Sequence, residues 1–252
     1  MTIPLKNEII YGPVNSRRLG KSLGINLLPK DFKHCTFNCV YCQYGWTESH
    51  KNILQQPELW RSLAEISDAI KDALQFLNPK PDYLTFSGNG EPTLHPHFPE
   101  IVNELIKIRN LFSSGSKTAI LTNSSTVNHA DIKKAIDRLD VKIMKLDCGN
   151  EAYFKKFNIP VPGLTLNNIV DGLTSMENIT IQSLFAGGTG GNYNPQNIDD
   201  WIKLLQIIAP DFVQIYTLDR SYPSAKIIPL EKNELQQIKS KVSAVNINCE
   251  IY

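Results

Sequence analysis

Six times along the chain, a short run rich in β-branched and apolar residues is followed by a stretch whose apolar residues recur every three to four positions. That alternation constrains the fold more than any other feature of the sequence. Strands are expected over residues 22–28, 83–87, 117–122, 141–147, 179–184 and 212–218. Helical spacing covers 57–76, where Leu59, Leu63, Ile66, Ile70 and Leu74 share a face, and 97–111, where Ile101, Leu105 and Ile108 do. It recurs over 131–139, 166–176, 198–209 and 230–245. Pro29 closes the first strand, Asn78-Pro79-Lys80-Pro81 closes the first helix, and residues 247–251 can add an edge strand. Strands linked in this way need a helical crossover, so an α/β fold with a parallel sheet covered by helices is expected. The 252 residues, 42% of them hydrophobic, suffice for one large core, and no linker or compositional break divides them. A single domain over 1–252 follows as an expectation. Periodicity alone leaves open both a doubly wound sheet and a curved, open barrel.

Directly after the first strand come three thiols in eight residues, Cys35-Thr36-Phe37-Asn38-Cys39-Val40-Tyr41-Cys42, in a chain with five cysteines altogether. Gaps of three and two residues let one loop wrap its sulfurs around a single inorganic centre. Soft thiolates suit an iron-sulfur cluster or zinc, and both take four ligands. No fourth cysteine is near, so a four-iron cluster held by Cys35, Cys39 and Cys42 keeps one iron open for a small molecule. A zinc knuckle completed by His34 or His50 is the alternative. Loops leaving the carboxyl ends of barrel strands converge, and α/β barrels keep their chemistry there.

The C-x3-C-x2-C spacing, with Tyr41 just before the last cysteine, resembles the signature of the radical S-adenosylmethionine (radical SAM) superfamily. The segment from Tyr11 to Gly45 is similar to a group of short radical SAM iron-sulfur oxidoreductases described as similar to wyosine-base synthetases. The resemblance implies a partial (β/α)6 barrel with a lateral opening for substrate and a [4Fe-4S] cluster on the three cysteines. It further implies that SAM, chelated at the open iron, is split by one electron to methionine and a 5′-deoxyadenosyl radical, which abstracts a hydrogen atom from a substrate. Tyr41 is placed against the adenine, and an external electron donor of flavodoxin or ferredoxin type is required. Ser87-Gly88-Asn89-Gly90-Glu91-Pro92 follows the second strand, where glycines permit a tight turn with a closely approachable backbone. It looks like the family's SAM-binding glycine motif, with Gly90-Glu91 as the matching pair and Gly88-Asn89 departing from the usual double glycine.

Later strands finish in polar residues, whereas a purely structural parallel strand stays apolar to its end. Asn123, Asp147, Gln182, Gln214 and Tyr216 lie at or near these ends. By resemblance Asn123 and Asp147 bind the ribose; a helix cap or turn is the other reading. Lys145 and Asp147, two apart on a strand, point the same way and can pair or face substrate, and a neighbouring ammonium keeps Asp147 ionised. Cys148 is the spare thiol near this rim, either a hydrogen-atom donor or a buried small residue. Arg17 and Arg18 can hold a carboxylate or phosphate or make surface ion pairs. His95 and His97 read as loop architecture, and Gly187-Gly188-Thr189-Gly190-Gly191, lacking a P-loop lysine, as a mobile loop beside the site.

With 26 basic and 25 acidic residues, no global field favours nucleic acid or a membrane surface. Residues 1–5 lack a signal-peptide run and no long apolar stretch occurs, so a cytoplasmic location is expected. Only Cys148 and Cys249 remain beyond the loop, too few for auxiliary clusters. No carboxyl-terminal extension closes the barrel, which favours a large substrate such as a peptide, protein or tRNA. A tRNA-modifying enzyme, a glycyl-radical activase and a non-catalytic zinc protein are the alternatives.

Overall fold

The computed structural model describes residues 2–47 and 57–252; His50 lies outside them. Eight strands form one sheet in sequence order: β1 (Ile10–Ser16), β2 (Gly20–Ile25), β3 (Tyr83–Phe86), β4 (Lys117–Thr122), β5 (Val141–Lys145), β6 (Ile179–Leu184), β7 (Phe212–Tyr216) and β8 (Cys249–Ile251). From β2 to β8 every pairing is parallel, and β1 turns back antiparallel on β2. No pairing joins β8 to β1 among the described residues, so the barrel stays open. Among the described residues, seven α-helices accompany the sheet: α1 (Leu63–Phe76), α2 (Phe98–Phe112), α3 (Ala130–Ile136), α4 (Glu151–Phe157), α5 (Leu166–Thr174), α6 (Pro195–Ile208) and α7 (Lys232–Ser243). None is long and apolar enough to cross a membrane.

Strand alternation sorts the core into two parts. Leu23, Ile25, Leu84, Phe86, Ile120, Met144, Ile181, Val213 and Ile215 pack with the apolar helix faces, such as Ile66, Ile70 and Leu74 of α1 and Ile101 and Leu105 of α2. A separate small plug joins Leu19, Ala119 and Ile143 with Tyr83, Leu121 and Val141. The same period brings polar groups together: Lys145, Gln182 and Gln214 are register partners across β5, β6 and β7. Capping is local and explicit, as in the Ser62/Glu65 box that starts α1 and Asn194, which accepts from Gln196 N and Asn197 N to start α6.

Two elements depart from the sequence reading. No strand is expected over residues 11–20, yet they supply most of β1 and the turn into β2. Gly12-Pro13 breaks the alternation, and the register shifts between Tyr11 and Val14. Helix α4 was not expected either, because its seven residues are too few to establish a helical period. The first expected strand also ends early, at Ile25, and Asn26 N instead donates to Ile9 O at 2.7 Å.

Candidate active site

The cysteine loop leaves β2 and is held from both sides. Toward the glycine loop after β3, His34 N donates to Asn89 O at 3.0 Å and Glu91 N to His34 O at 2.9 Å. Contact is so close that a Cβ on Gly90, whose φ is +146°, would lie 1.8 Å from His34 O, and one on Gly88, at +136°, would lie 2.4 Å from Asn26 Oδ1. On the other side, the end of α4 and the residues after it form a second ledge: Asn38 N donates to Asn158 O and Val40 N to Phe157 O, each at 3.0 Å, and Val161 N to Thr36 O at 2.9 Å.

Two of the three sulfurs accept hydrogen bonds. Cys35 Sγ receives Phe37 N at 3.4 Å and Asn123 Nδ2 at 3.5 Å, and Cys39 Sγ receives Asn158 Nδ2 at 3.5 Å. All three thiols are free of disulfides. Burial pushes the Cys35 thiol up and the Cys39 thiol up to about 11, so each gives up its proton only when a cation takes the sulfur. A cubane takes its ligands at separate corners, and three soft donors with N–H groups on the sulfurs fit one. His34 faces Trp60 edge-on with ring centroids 5.4 Å apart.

Next to the loop lies a buried charge network. Asp147, 2% exposed, accepts from four donors: Tyr41 Oη and Asn158 Nδ2 on Oδ2, Leu184 N and Lys145 Nζ on Oδ1. The Asn158, Leu184 and Lys145 contacts are each 2.8 Å. Lys145 Nζ also donates to Tyr216 Oη at 2.8 Å and stands 5.1 Å from the Tyr41 ring centroid. Burial works to lower the Lys145 pKa, but the Asp147 carboxylate and Tyr216 outweigh it and leave it raised. The ammonium is thereby fixed as a cation. Asn192 Nδ2 clamps the network from behind by donating to Asp147 O and Leu184 O, both at 2.7 Å.

Residues 31–205 match the family model of the Radical SAM superfamily. The chain belongs to that superfamily. Its members use a [4Fe-4S] cluster and S-adenosylmethionine. Among curated relatives, the GTPase Obg of Brachyspira hyodysenteriae is 32% identical over 98% of this chain, which spans only 35% of that protein. A UPF0026 protein of Helicobacter pylori is 34% identical over 90% of this chain and 71% of its own length. Solved radical SAM folds superpose as well. A radical SAM methyltransferase from Sphaerobacter thermophilus gives a TM-score of 0.65 at 13% identity, covering 92% of this chain and 65% of its own. TYW1 with a lysine-pyruvate adduct bound gives 0.57 at 16%, covering 88% and 73%. At such identities the likeness concerns the fold, here the partial barrel.

Several of the expected site residues are spent internally. The Asn89 carboxamide is fully used, accepting from Lys6 N at 2.7 Å and donating to Lys6 O and Pro29 O at 2.9 Å each. Only its backbone faces the cysteine loop, so a side-chain role in cofactor binding does not fit this geometry. Glu91 is 1% exposed; Oε1 accepts from Thr93 Oγ1 at 2.7 Å and Thr122 Oγ1 at 2.8 Å, and Oε2 from Asn123 N at 2.5 Å. Burial raises its carboxyl pKa against those hydrogen bonds. Asn123 lies beside Cys35, with Nδ2 also on Thr36 Oγ1 at 2.8 Å. Cys148 is fully enclosed, its thiol 3.5 Å from Asn158 Oδ1. This is the setting of a packed core residue rather than of a hydrogen donor open to substrate.

Arg17 makes an exposed ion pair with Asp219 at 2.6 Å. His95 is loop architecture, its ring bridging Arg61 O and His97 N. Gly187 and Gly190 are pinned to Ile228 and Lys226 by backbone hydrogen bonds of 2.8 to 3.1 Å, which does not suit a mobile loop. Three residues of the site were not singled out from sequence: Tyr11, Asn158 and Asn192. Tyr11 alone left a usable trace, since its ring covers Gly24 and its hydroxyl meets Ser87 Oγ at 2.5 Å, and a glycine inside a strand signals such close approach.

Proposed function

We propose that the chain is a radical SAM enzyme in which Cys35, Cys39 and Cys42 hold a [4Fe-4S] cluster, and that it abstracts a hydrogen atom from a substrate seated in the open barrel. Held there, the cluster would supply one-electron reduction of SAM to a carbon-centred radical, with the electron coming from a flavodoxin- or ferredoxin-type donor. Three sulfurs in one braced loop, two of them already receiving N–H groups, carry this reading. The backbone of Gly88, Asn89 and Gly90 would form the edge that receives SAM. Asn123 and Tyr41 orient it from either side of the cysteine loop. Asp147 acts as a positioning residue: it fixes the Tyr41 hydroxyl and keeps Lys145 protonated, and Lys145 presents its cation to the barrel interior. Substrate identity is not carried over from TYW1 or the methyltransferase. One domain spanning 1–252 supplies all of these groups.

The test is anaerobic reconstitution followed by SAM and dithionite. A brown protein with about four irons per chain that releases 5′-deoxyadenosine supports the assignment. Colourless protein with zinc, or iron that persists when Cys35, Cys39 and Cys42 are all changed to Ala, ends it.

A further inference from the structure

Beside the gap between β1 and β8 lies Arg18, a cation that no acid among the described residues pairs with. The turn between β1 and β2 folds across the barrel interior, where Leu19 joins the plug and Arg18 lies with its guanidinium carbon 4.3 Å from the Tyr216 ring centroid and 5.4 Å from that of Tyr252. Among the described residues, Arg18 makes no ion pair and no side-chain hydrogen bond, and its Nε is buried without a partner. Its neighbours differ. Arg17 is matched by Asp219 and Lys145 by Asp147, whereas Arg220 reaches only the neutral Gln43 Oε1, at 2.6 Å. Burial, with the charges of Arg17 and Arg220 nearby, lowers the Arg18 pKa. A buried guanidinium Nε held there without an acceptor is costly unless something fills it.

Position gives this cation its meaning. Tyr216 takes Arg18 against its ring and Lys145 Nζ 4.8 Å from the same ring centroid, and Lys145 adjoins Tyr41 of the cysteine loop. One ring therefore links the barrel gap to the proposed radical centre. We infer that Arg18, supported by Arg220, receives an oxyanion, a phosphate or a carboxylate, on the substrate and so places the rest of that molecule beside Tyr41. Planar guanidinium groups bind both anions in a forked geometry. Assigning the anion to the substrate rests on the radical SAM reading; the anion site itself does not.

Calorimetric titration of the reconstituted full chain with inorganic phosphate and with malonate, at constant ionic strength set by chloride, tests it. Saturable binding of either is expected, weakened at least about tenfold by Arg18→Met, the loss expected for a charge-assisted pair. Arg17→Met, whose partner is Asp219, leaves it within about twofold by the same scale. Arg220→Met serves as the second probe should Arg18→Met not fold, and it also weakens binding. Phosphate alone identifies a phosphorylated substrate, and malonate alone a carboxylate. Failure of both anions to bind, or binding indifferent to both variants, overturns the site. Iron content and 5′-deoxyadenosine release of the unaltered protein, measured without anions, report separately on the radical reading.

Discussion

Lys145 and Asp147 form an ion pair of 2.8 Å across two residues of one strand end, with side-chain exposures of 15% and 0%. Burying both charges is tolerable because each is also hydrogen-bonded, Lys145 to Tyr216 and Asp147 to Tyr41, Asn158 and Leu184 N. Removing one partner strands the other. Asp147→Asn is expected to destabilise the protein by about 3 kcal/mol, read from denaturant unfolding. Adding Lys145→Met should recover part of that loss, since no unpaired ammonium remains. A double variant as unstable as the sum of the singles would mean that the pair is not coupled.

Gly90 sets the distance between the glycine loop and the cysteine loop. With φ at +146° and His34 O 1.8 Å from where a Cβ would stand, Gly90→Ala must push the two loops apart. The expected cost is about 3 kcal/mol, together with reduced iron uptake on reconstitution. Gly115→Ala is the matched control, because nothing lies within 4 Å of its Cβ position. A Gly90→Ala protein that takes up iron like the control would remove the close approach from the account.

Asn158 touches Cys39 Sγ, Asp147 Oδ2 and the Cys148 thiol with one side chain. Hydrogen bonds to cluster sulfurs help set the reduction potential, by stabilising the more negative state. Asn158→Leu should therefore lower the midpoint potential of the reconstituted cluster while three cysteines still hold it, as followed by an electrochemical titration with EPR detection. An unchanged potential would show that the Asn158 contact to Cys39 does not persist in the loaded protein.

How much of this was legible beforehand follows from the range of each interaction. The parallel strands were readable because alternation is local, and so was the common side of Lys145 and Asp147, since a spacing of two fixes it, with pairing as one of two readings. The cysteine loop was readable from spacing alone. Asn158 was not, because its importance arises from α4 carrying it back to a loop well over a hundred residues earlier. Tyr216 stood at a recognised strand end, but its role depends on Arg18 from the opposite edge of the sheet. The place of Asn89 in the glycine motif marked its backbone, but not that the N-terminal segment at Lys6 takes its side chain, a contact 83 residues away in sequence.

His95 gives the fold a defined acid weakness. Its Nε2 faces Arg61 O at 2.9 Å and its Nδ1 accepts from His97 N at 3.1 Å, an arrangement that holds the ring neutral. Burial is the larger cause, and the pKa falls to about 4 from an ordinary 6.5. Because the unfolded chain takes up this proton first, stability is lost as pH falls from about 6.5 to about 4 and the effect is complete below that. The two values differ by enough to remove about 3 kcal/mol. His95→Gln keeps a side-chain donor for Arg61 O without the titration, so its stability should decline less across that window, measured as denaturant midpoint against pH. Parallel curves for the two proteins would assign the acid weakness to other groups.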